Sequence, residues 1–416
     1  MYLIGYDIYT AQKKLKTLKN LSGYDKLDWM KRKRWKIAKF HYVNNKVYGK
    51  KIGKEFPSEW KNLPVMQKID YQLEINNIIS KGFNIEEVYK SNTSGSSGHP
   101  FHFVKDKDCH ALSWAFILNR YKSLGIEEGD LEARFYGIPL EIIPYFKEKL
   151  KDLLMNRVRF PVFDLSDYAL NQFVKKFKQK KFNYIYGYTN SIVIFARYLI
   201  EHKIKIKNIC PTLKLIIVTS EVCTNEDRNI LNKAFDLPIY SEYGASEFGY
   251  IGTQNSENNW EVANELLFLE NDSEGNILIT DLNNRAFPFI RYNIGDIGKV
   301  LSKQNGKQII DSLIGRTNDN IILPSGKISP GLTFYYVSKS LLEKTFILNE
   351  FIIRQTREDF FEFDIVASGP LDKVTEKELQ NKIDTYLEPG ISFKVNIVEK
   401  VIRPKNGKIK HFYSHL

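Results

Sequence analysis

The stretch Ser91–Pro100, with the sequence SNTSGSSGHP, is rich in residues that can bind an anion. Its serine, threonine and glycine residues offer hydroxyl and backbone N–H donors, and glycine lets a backbone approach a polyanion closely. It is not a Walker loop, because no Gly-Lys-Ser/Thr follows at the required spacing. Alone, such a run is more often a plain turn or a linker.

Four further stretches carry groups that a nucleotide site needs. Ser241–Gly249 (SEYGASEFG) sets an aromatic ring, a glycine, a hydroxyl and a carboxylate close together, which suits base stacking, phosphate binding and Mg²⁺ binding. Phe289–Asp296 (FIRYNIGD) ends in a carboxylate suited to paired ribose hydroxyls. Gly315–Asp319 (GRTND) and Pro404–Lys410 (PKNGKIK) add an arginine and a lysine beside turn residues. Each stretch alone could be a loop with solvated charges.

The order and spacing of these stretches resemble the core motifs of the adenylate-forming superfamily of acyl-CoA synthetases and nonribosomal adenylation enzymes. Within it, the likeness is to the phenylacetate–coenzyme A ligase-like branch, which includes the CapK proteins of capsule biosynthesis. Trp60–Asp70 (WKNLPVMQKID), Tyr186–Asn190 (YGYTN) and Val218–Glu221 (VTSE) resemble further elements of that branch. The resemblance therefore covers nearly the whole chain.

The resemblance implies a set of residues that bind ATP. Thr93–Gly98 would hold the β- and γ-phosphates, Tyr243 would stack on adenine, and Asp296 would hold the ribose with help from Arg316. Asp319 would mark a hinge. The implied nucleotide-binding residues are Thr93, Ser94, Gly95, Ser96, Ser97, Gly98, Ser220, Glu221, Tyr243, Gly244, Ala245, Asp296 and Arg316.

The resemblance also implies catalytic and acyl-binding residues. Ser246 would contact the α-phosphate, Glu247 would bind Mg²⁺, and Lys408 would bridge the substrate carboxylate and the α-phosphate. The plausible residues lining the acyl site are Tyr136, Gly137, Tyr186 and Tyr188. The loop reads Gly-His-Pro where the family usually has Gly-Lys-Pro, so its charge depends on protonation of His99.

The composition indicates a folded protein that can bury a large core. The chain has 416 residues, of which 43% are hydrophobic and 26% charged. Its three cysteines form no CxxC pair, which argues against a disulfide scaffold or a cysteine-based zinc site. No apolar run approaches the length of about 20 residues that spans a membrane, and the N-terminus does not resemble a signal peptide. We therefore expect a cytoplasmic protein.

The net charge of +12 comes from residues 13–54, which hold 15 Lys/Arg and two acidic residues. One interpretation is an electrostatic contact with anionic membrane, a polyanionic glycan or nucleic acid. The other is a solvated helix face, which the helical spacing of Leu27, Met30, Ile37 and Ala38 favours. Nucleic acid is the least expected partner, because no recognised reading module is present. The oligomeric state is not predicted.

The elements that must position these residues predict an α/β fold. Residues 1–90 are predicted to be mostly helical, and residues 91–300 alternate apolar runs with amphipathic stretches. After Gly315, predicted strands at Phe351–Gln355, Phe360–Ala367 and Ile391–Val398 enclose a helix at Thr375–Leu387. We expect a large ATP- and acyl-binding domain of layered sheets and helices over residues 1–317. A small mobile α+β domain is expected over residues 318–416.

The predicted function is that of an ATP- and Mg²⁺-dependent carboxylate ligase. It would activate a small carboxylic acid as acyl-AMP, release pyrophosphate, and transfer the acyl group to a thiol or amine, with coenzyme A as a possible co-substrate. A role in surface polysaccharide biosynthesis follows from the CapK likeness. Two alternatives stay open: an enzyme that loads a carrier protein, and a non-catalytic protein that binds through its basic N-terminal segment.

Overall fold

The computed structural model of the chain describes residues 5–21, 23–92, 101–255, 257–314, 320–334, 337, 348–367, 371–399 and 412–416. These residues form two compact units. Unit 1 comprises the described parts of Met1–Ser94, His99–Leu124 and Tyr243–Ile314, and unit 2 comprises those of Gly125–Glu242 and Gly315–Leu416. The predicted boundary between residues 317 and 318 lies outside the described residues and stays a prediction.

The secondary structure is mixed. The helices are α1 (Ile8–Lys19), α2 (Gly23–Asn44), α3 (Lys46–Ile52), α4 (Ile75–Ile78), α5 (Lys107–Ser123), α6 (Ile142–Leu154), α7 (Asp167–Gln179), α8 (Thr189–Glu201), α9 (Ile206–Ile209), α10 (Asn225–Phe235) and α11 (Lys373–Tyr386). The strands are β1 (Tyr89–Asn92), β2 (His102–Lys105), β3 (Glu132–Phe135), β4 (Arg157–Phe160), β5 (Tyr184–Tyr188), β6 (Leu215–Thr219), β7 (Ile239–Ala245), β8 (Gly249–Gln254), β9 (Trp260–Val262), β10 (Leu267–Asn271), β11 (Asn276–Asp281), β12 (Tyr292–Ser302), β13 (Gln308–Ile314), β14 (Asn320–Ile322), β15 (Ile328–Pro330), β16 (Leu348–Arg357), β17 (Phe360–Ala367), β18 (Ser392–Ile397) and β19 (Phe412–Ser414).

The sheet of unit 1 is antiparallel, with strand order β10-β11-β12-β13-β9-β8. An aromatic cluster anchors the start of β12 in the core: neighbouring rings have centroids 4.7–6.2 Å apart. Its members are Tyr71, Phe101, Phe287, Phe289 and Tyr292. Burying rings of this size supplies much of the hydrophobic stabilisation of a core. The cluster therefore fixes the strand that carries the predicted ribose-binding residue.

A short antiparallel hairpin, β1 paired with β2, flanks the predicted phosphate loop. Asn92 at the end of β1 faces His102 at the start of β2. Residues 93–100, which connect these strands in the chain, lie outside the described residues. The prediction that residues 1–90 are mostly helical is confirmed by α1–α4, with Pro57 falling after the end of α3.

Unit 2 contains a parallel sheet with strand order β4-β3-β5-β6-β7. Its central strands are buried on both faces: every residue of β6 is buried, as a parallel sheet covered by helices requires. Helices α7, α8 and α10 separate successive strands along the chain. This pattern confirms the α/β alternation predicted from the sequence. The chain passes from unit 2 into unit 1 within β7, between Glu242 and Tyr243.

The C-terminal part of unit 2 is a small α+β structure, as predicted. Its sheet has strand order β18-β17-β16-β19, with β16 and β17 antiparallel and the outer pairs parallel. Helix α11 packs its buried Leu379, Ile383 and Tyr386 into the core of this part. The Tyr386 hydroxyl accepts a hydrogen bond from the Leu140 backbone N–H and donates one to Glu141. Strand β19 was not predicted from the sequence.

Candidate functional site

The turn between β7 and β8 carries five of the predicted site residues. Tyr243, Gly244 and Ala245 end β7, whereas Ser246 and Glu247 lie in the turn. Gly244 is required by close packing, because a Cβ atom there would lie closer than 3.0 Å to the Gly249 carbonyl oxygen. The tight return places the exposed Ser246 next to the buried Glu247.

Strand β12 holds two residues of this turn. The Tyr243 hydroxyl donates a hydrogen bond of 2.7 Å to Oδ2 of Asp296. The hydroxyl of the fully buried Tyr292 donates one of 2.9 Å to Oε1 of Glu247. Tyr243, Glu247 and Asp296, which come from two separate stretches of the sequence and which the resemblance implies as nucleotide- or metal-binding residues, are therefore gathered around one strand. Sequence reasoning did not assign a role to Tyr292, although it lies in the quoted FIRYNIGD stretch.

Arg291 connects the start of β12 to the Trp60–Asp70 segment, and sequence reasoning also missed it. Its backbone has a φ of 47°, in the left-handed region that non-glycine residues rarely adopt. Its side chain donates to Glu270 at 2.9 Å, to the Lys61 carbonyl oxygen at 2.8 Å, and to the Leu63 carbonyl oxygen. The side-chain contacts explain why the strain is tolerated: they fix a segment that the sequence resemblance had singled out.

In unit 2, the predicted acyl-site tyrosines form one aromatic group. The rings of Tyr136 and Tyr186 are nearly parallel with centroids 5.8 Å apart, and Tyr188 lies 4.2 Å from Tyr136. The Arg134 guanidinium lies over both Tyr136 (4.4 Å) and Tyr186 (5.0 Å) and pairs with Glu132 at 2.8 Å. Arg134 was missed, although its two-residue spacing from Tyr136 places both on one side of an extended chain.

Strand register explains how this aromatic group forms. In the parallel pairing of β3 with β5, Arg134 faces Tyr186, and Phe135 faces Gly187. A Cβ atom at position 187 would lie closer than 3.0 Å to the Phe135 carbonyl oxygen, so glycine is required between the two tyrosines. The carbonyl oxygen of Gly137 accepts a hydrogen bond of 2.5 Å from Arg159. The backbone carbonyl group thus holds Gly137 in position.

Ser220 and Glu221 follow β6 in the same unit. Ser220 is exposed, has a φ of 70°, and its Oγ lies 3.4 Å from the Tyr136 hydroxyl. Oε2 of Glu221 accepts a hydrogen bond of 2.9 Å from the Asn190 backbone N–H, at the positive N-terminal end of α8. Its Oε1 is buried without a hydrogen-bond partner among the described residues. Burial raises the pKa of Glu221 to about 7.

The remaining predicted residues lie outside the described part of the chain. They are Thr93, Ser94, Gly95, Ser96, Ser97, Gly98, Arg316, Asp319 and Lys408. Their roles stay predictions.

The described residues fit a Mg²⁺ ion that is bound mainly by a nucleotide. Among them, no group of three or more His, Cys, Asp or Glu side chains could hold a metal ion. Mg²⁺ usually keeps several waters and binds through one or two carboxylates together with substrate phosphates. The buried carboxylate of Glu247, oriented by Tyr292, can supply such a single ligand.

The cations of the basic segment are divided between structural and exposed positions. Lys26 is buried and pairs with Glu265 at 2.7 Å, and the Arg34 guanidinium lies over the rings of Trp60 and Phe268 at 4.7 and 4.4 Å. The exposed cations of α2 are Lys31, Arg32, Lys36 and Lys39. Part of the local charge excess therefore stabilises unit 1. In the described part of the chain, no helix combines the length and apolar character needed to cross a membrane.

Comparison with known sequences gives two informative relatives. Protein CapK of Staphylococcus aureus is 24% identical over 385 residues, which cover 88% of this chain and 81% of that protein. Indoleacetate–lysine synthetase of Pseudomonas savastanoi is 24% identical over 260 residues, covering 60% of this chain and 62% of the synthetase. No protein-family model matches the chain.

Comparison with solved structures shows that the chain shares the fold of a CoA ligase. The chain resembles 2-hydroxyisobutyryl-CoA ligase in the thioesterification state with a TM-score of 0.57, 14% identity, and coverage of 93% of this chain and 89% of that one. The open conformation of that ligase matches with a TM-score of 0.54, 15% identity and coverage of 93% and 91%. These likenesses show that the chain has the fold of these ligases, and the two sequence relatives support its resemblance to the CapK-like branch of the adenylate-forming superfamily.

Proposed function

We propose that this protein is an ATP- and Mg²⁺-dependent carboxylate ligase that forms an acyl-adenylate and passes the acyl group to a thiol or an amine. One observation carries the proposal: Tyr243, Glu247 and Asp296, which the family resemblance implies bind adenine, Mg²⁺ and ribose, meet around β12 through two hydrogen bonds. The family assignment supports the same chemistry, since the named relatives and structural neighbours include a synthetase and a CoA ligase.

The first half-reaction joins two anions. A carboxylate oxygen of the acid attacks the α-phosphorus of ATP, the bond between the α-phosphorus and the bridging oxygen breaks, and pyrophosphate leaves. Its barrier is largely electrostatic, so groups that neutralise charge in a dry site lower it most. When bound, Mg²⁺ would neutralise phosphate charge beside Glu247. Lys408 would bring a second positive charge to the carboxylate and the α-phosphate.

The hydrogen bond between Tyr243 and Asp296 prepares both side chains for a nucleoside. It fixes the plane of the Tyr243 ring, which would stack on adenine. It also orients the Asp296 carboxylate, which we propose accepts hydrogen bonds from the ribose hydroxyls. Ordering these groups before binding reduces the entropic cost of holding the nucleotide.

The aromatic group of unit 2 supports a flat or polar acyl substrate. Tyr136, Tyr186 and Tyr188 offer ring faces and hydroxyls, and Arg134 holds two of the rings in place. A long aliphatic chain would gain little from such hydroxyl-rich walls. We therefore propose an aromatic or small polar carboxylic acid.

The relatives support two classes of acceptor. One relative is named indoleacetate–lysine synthetase, and lysine carries amines, whereas a structural neighbour is a ligase with bound CoA. We propose an amine or the thiol of coenzyme A as the acceptor. The likeness to CapK supports a role in surface polysaccharide biosynthesis.

Pyrophosphate exchange into ATP tests the adenylation half-reaction directly. A panel of aryl, hydroxy, fatty and amino acids should give exchange with one chemical class, and Glu247→Gln should lower it about 10²-fold or more. Discharge of the adenylate by coenzyme A, by amines or by a carrier-protein thiol then identifies the acceptor. The proposal would be contradicted if the protein binds ATP, no acid supports exchange, and Glu247→Gln does not change the exchange signal. That outcome would favour a non-catalytic binding protein.

A further inference from the structure

Helix α6 exposes an unusual number of large apolar side chains. Ile142, Leu153 and Leu154 are each 76% exposed, and the other three are 57–69% exposed. The six residues are Ile142, Ile143, Phe146, Leu150, Leu153 and Leu154. At about 100° per residue, they fall within about 120° of arc and so form one continuous apolar stripe.

Ion pairs attach the opposite side of α6 to strand β4 of the same unit. Asp152 pairs with Arg157 at 2.5 Å and with Arg159 at 2.9 Å, and Glu148 pairs with Arg159 at 3.0 Å. Both arginines lie on β4. A surface helix ordinarily turns its apolar stripe toward the core. Here the ion pairs attach the polar side, so the apolar stripe faces solvent.

The charges around the stripe are positive. Lys147 and Lys149 fall on its two borders at helical spacing, and neither has an ion-pair partner among the described residues. The three acidic residues of this region are all paired: Glu141 with Lys382, and Glu148 and Asp152 with arginines of β4. The outward surface of α6 therefore combines apolar side chains with unpaired lysines.

We propose that α6 docks the protein onto an anionic phospholipid surface. A helix with a wide apolar stripe flanked by lysines is suited to lie in the plane of a bilayer interface, with the stripe in the acyl boundary and the ammonium groups at the headgroups. Its 13 residues are too few to span a bilayer. The positive borders complement anionic lipid. A second copy of the chain would instead bring like charges together.

This inference is independent of the proposed enzymatic function. It also assigns membrane contact to α6 rather than to the basic N-terminal segment. The two surfaces can be separated experimentally because they lie on different helices, α6 and α2.

The test is co-sedimentation of the full-length chain with vesicles of phosphatidylcholine alone and of phosphatidylcholine mixed with phosphatidylglycerol. We expect binding to the mixed vesicles, weakened by salt. The double variant Phe146→Gln and Leu150→Gln should lower the partition constant at least about tenfold. Lys147→Gln with Lys149→Gln should reduce only the preference for anionic lipid. The matched control Val374→Gln, at a 69% exposed position of α11, should bind like the wild type.

Three results would overturn the proposal. One is absence of binding to anionic vesicles. Another is binding that the α6 variants leave unchanged while Lys31→Gln with Lys36→Gln abolishes it, which would place the contact on α2. The third is a concentration-dependent dimer in analytical ultracentrifugation that Phe146→Gln dissociates, which would make α6 a contact between two copies. Because the substituted residues are exposed, unchanged thermal unfolding should accompany each variant.

Discussion

Tyr243 and Asp296 are 53 residues apart in the sequence, yet the hydrogen bond between them is 2.7 Å long. Each limits the orientations of the other, and a carboxylate that accepts from a phenol is more strongly bound than a neutral acceptor. The pair therefore links a proposed adenine contact to a proposed ribose contact. This coupling is testable without removing the aromatic ring.

Tyr243→Phe should weaken ATP binding while the protein stays folded. The ring remains available for stacking, but Asp296 loses the hydrogen bond from Tyr243 that orients it, and the loss of one hydrogen bond to a charged group corresponds to about a tenfold rise in the Kd for ATP. Isothermal titration calorimetry measures this change. Tyr168→Phe, at a 76% exposed tyrosine, is the matched control. An unchanged Kd in Tyr243→Phe would separate this pair from nucleotide binding.

Glu221 should make stability depend on pH. Burial raises its pKa from an ordinary value of 4.5 to about 7, so the folded protein retains a proton that the unfolded chain has lost between these pH values. The unfolded state then binds fewer protons, and the free energy of unfolding falls as pH rises through this window. Glu221→Gln carries no charge and should be the more stable form above pH 7, by on the order of 3 kcal/mol.

Urea unfolding at a series of pH values between 4.5 and 8 tests the role of Glu221, as the difference between variant and wild type should vanish toward pH 4.5. Glu226→Gln, at an exposed position of α10, is the control. A pH-independent difference would show that the Glu221 carboxyl does not titrate in this range.

At the level of elements, the register of β3 and β5 determines which side chains form the acyl-site candidate. Parallel pairing sets Arg134 opposite Tyr186, and Gly187 lets the two backbones approach next to Phe135. A shift of one residue would turn the tyrosines to the other face of the sheet. Glycine at position 187 therefore acts on the site through strand packing.

Gly187→Ala should raise the KM for the acid substrate and also destabilise the protein. The added methyl group must displace Phe135, at a cost of about 1–3 kcal/mol, and should move Tyr186 and Tyr188. Gly390→Ala is a control of similar stability cost, because its φ is 89° and nothing lies within 4 Å of the added Cβ. Steady-state kinetics and urea unfolding compare the two. If Gly187→Ala and Gly390→Ala destabilise the protein equally and have the same KM for the acid, a positioning role for Gly187 is contradicted.

At the scale of the whole molecule, the proposed chemistry requires a cation from the C-terminal part of the chain. Lys408→Ala should lower pyrophosphate exchange about 10²-fold or more, because the carboxylate and the α-phosphate would then approach each other with less charge neutralisation. The Kd for ATP should change little, since this lysine is proposed to act on the reacting groups. Lys405→Ala is the neighbouring control, and exchange at the wild-type rate in Lys408→Ala would remove Lys408 from the mechanism.

The role of the positive charge depends on where each lysine and arginine lies in the structure, and the number of these residues does not show it. The net charge of +12 originates in one segment. Within that segment, however, Lys26 forms a buried ion pair and Arg34 contacts aromatic rings. The surface proposed to meet a membrane lies elsewhere, on α6, whose lysines did not stand out in the sequence. Charge density along a chain thus identifies a contact surface poorly, because neighbouring residues of a helix point in different directions.

The sequence by itself determined the local features of this protein, namely the α/β alternation and the small C-terminal α+β part, and its resemblance to a known family singled out Tyr243, Glu247 and Asp296 as candidates. These depend on periodicity and on residue types within short stretches, which a single chain displays directly. Only the tertiary structure decided that Tyr292 orients Glu247, that Arg134 supports the tyrosines, and that α6 turns its apolar stripe outward. Those facts depend on strand register, on a hydrogen bond between residues 45 positions apart, and on which side of α6 binds the neighbouring strand, and the order of residues along a chain displays none of these directly.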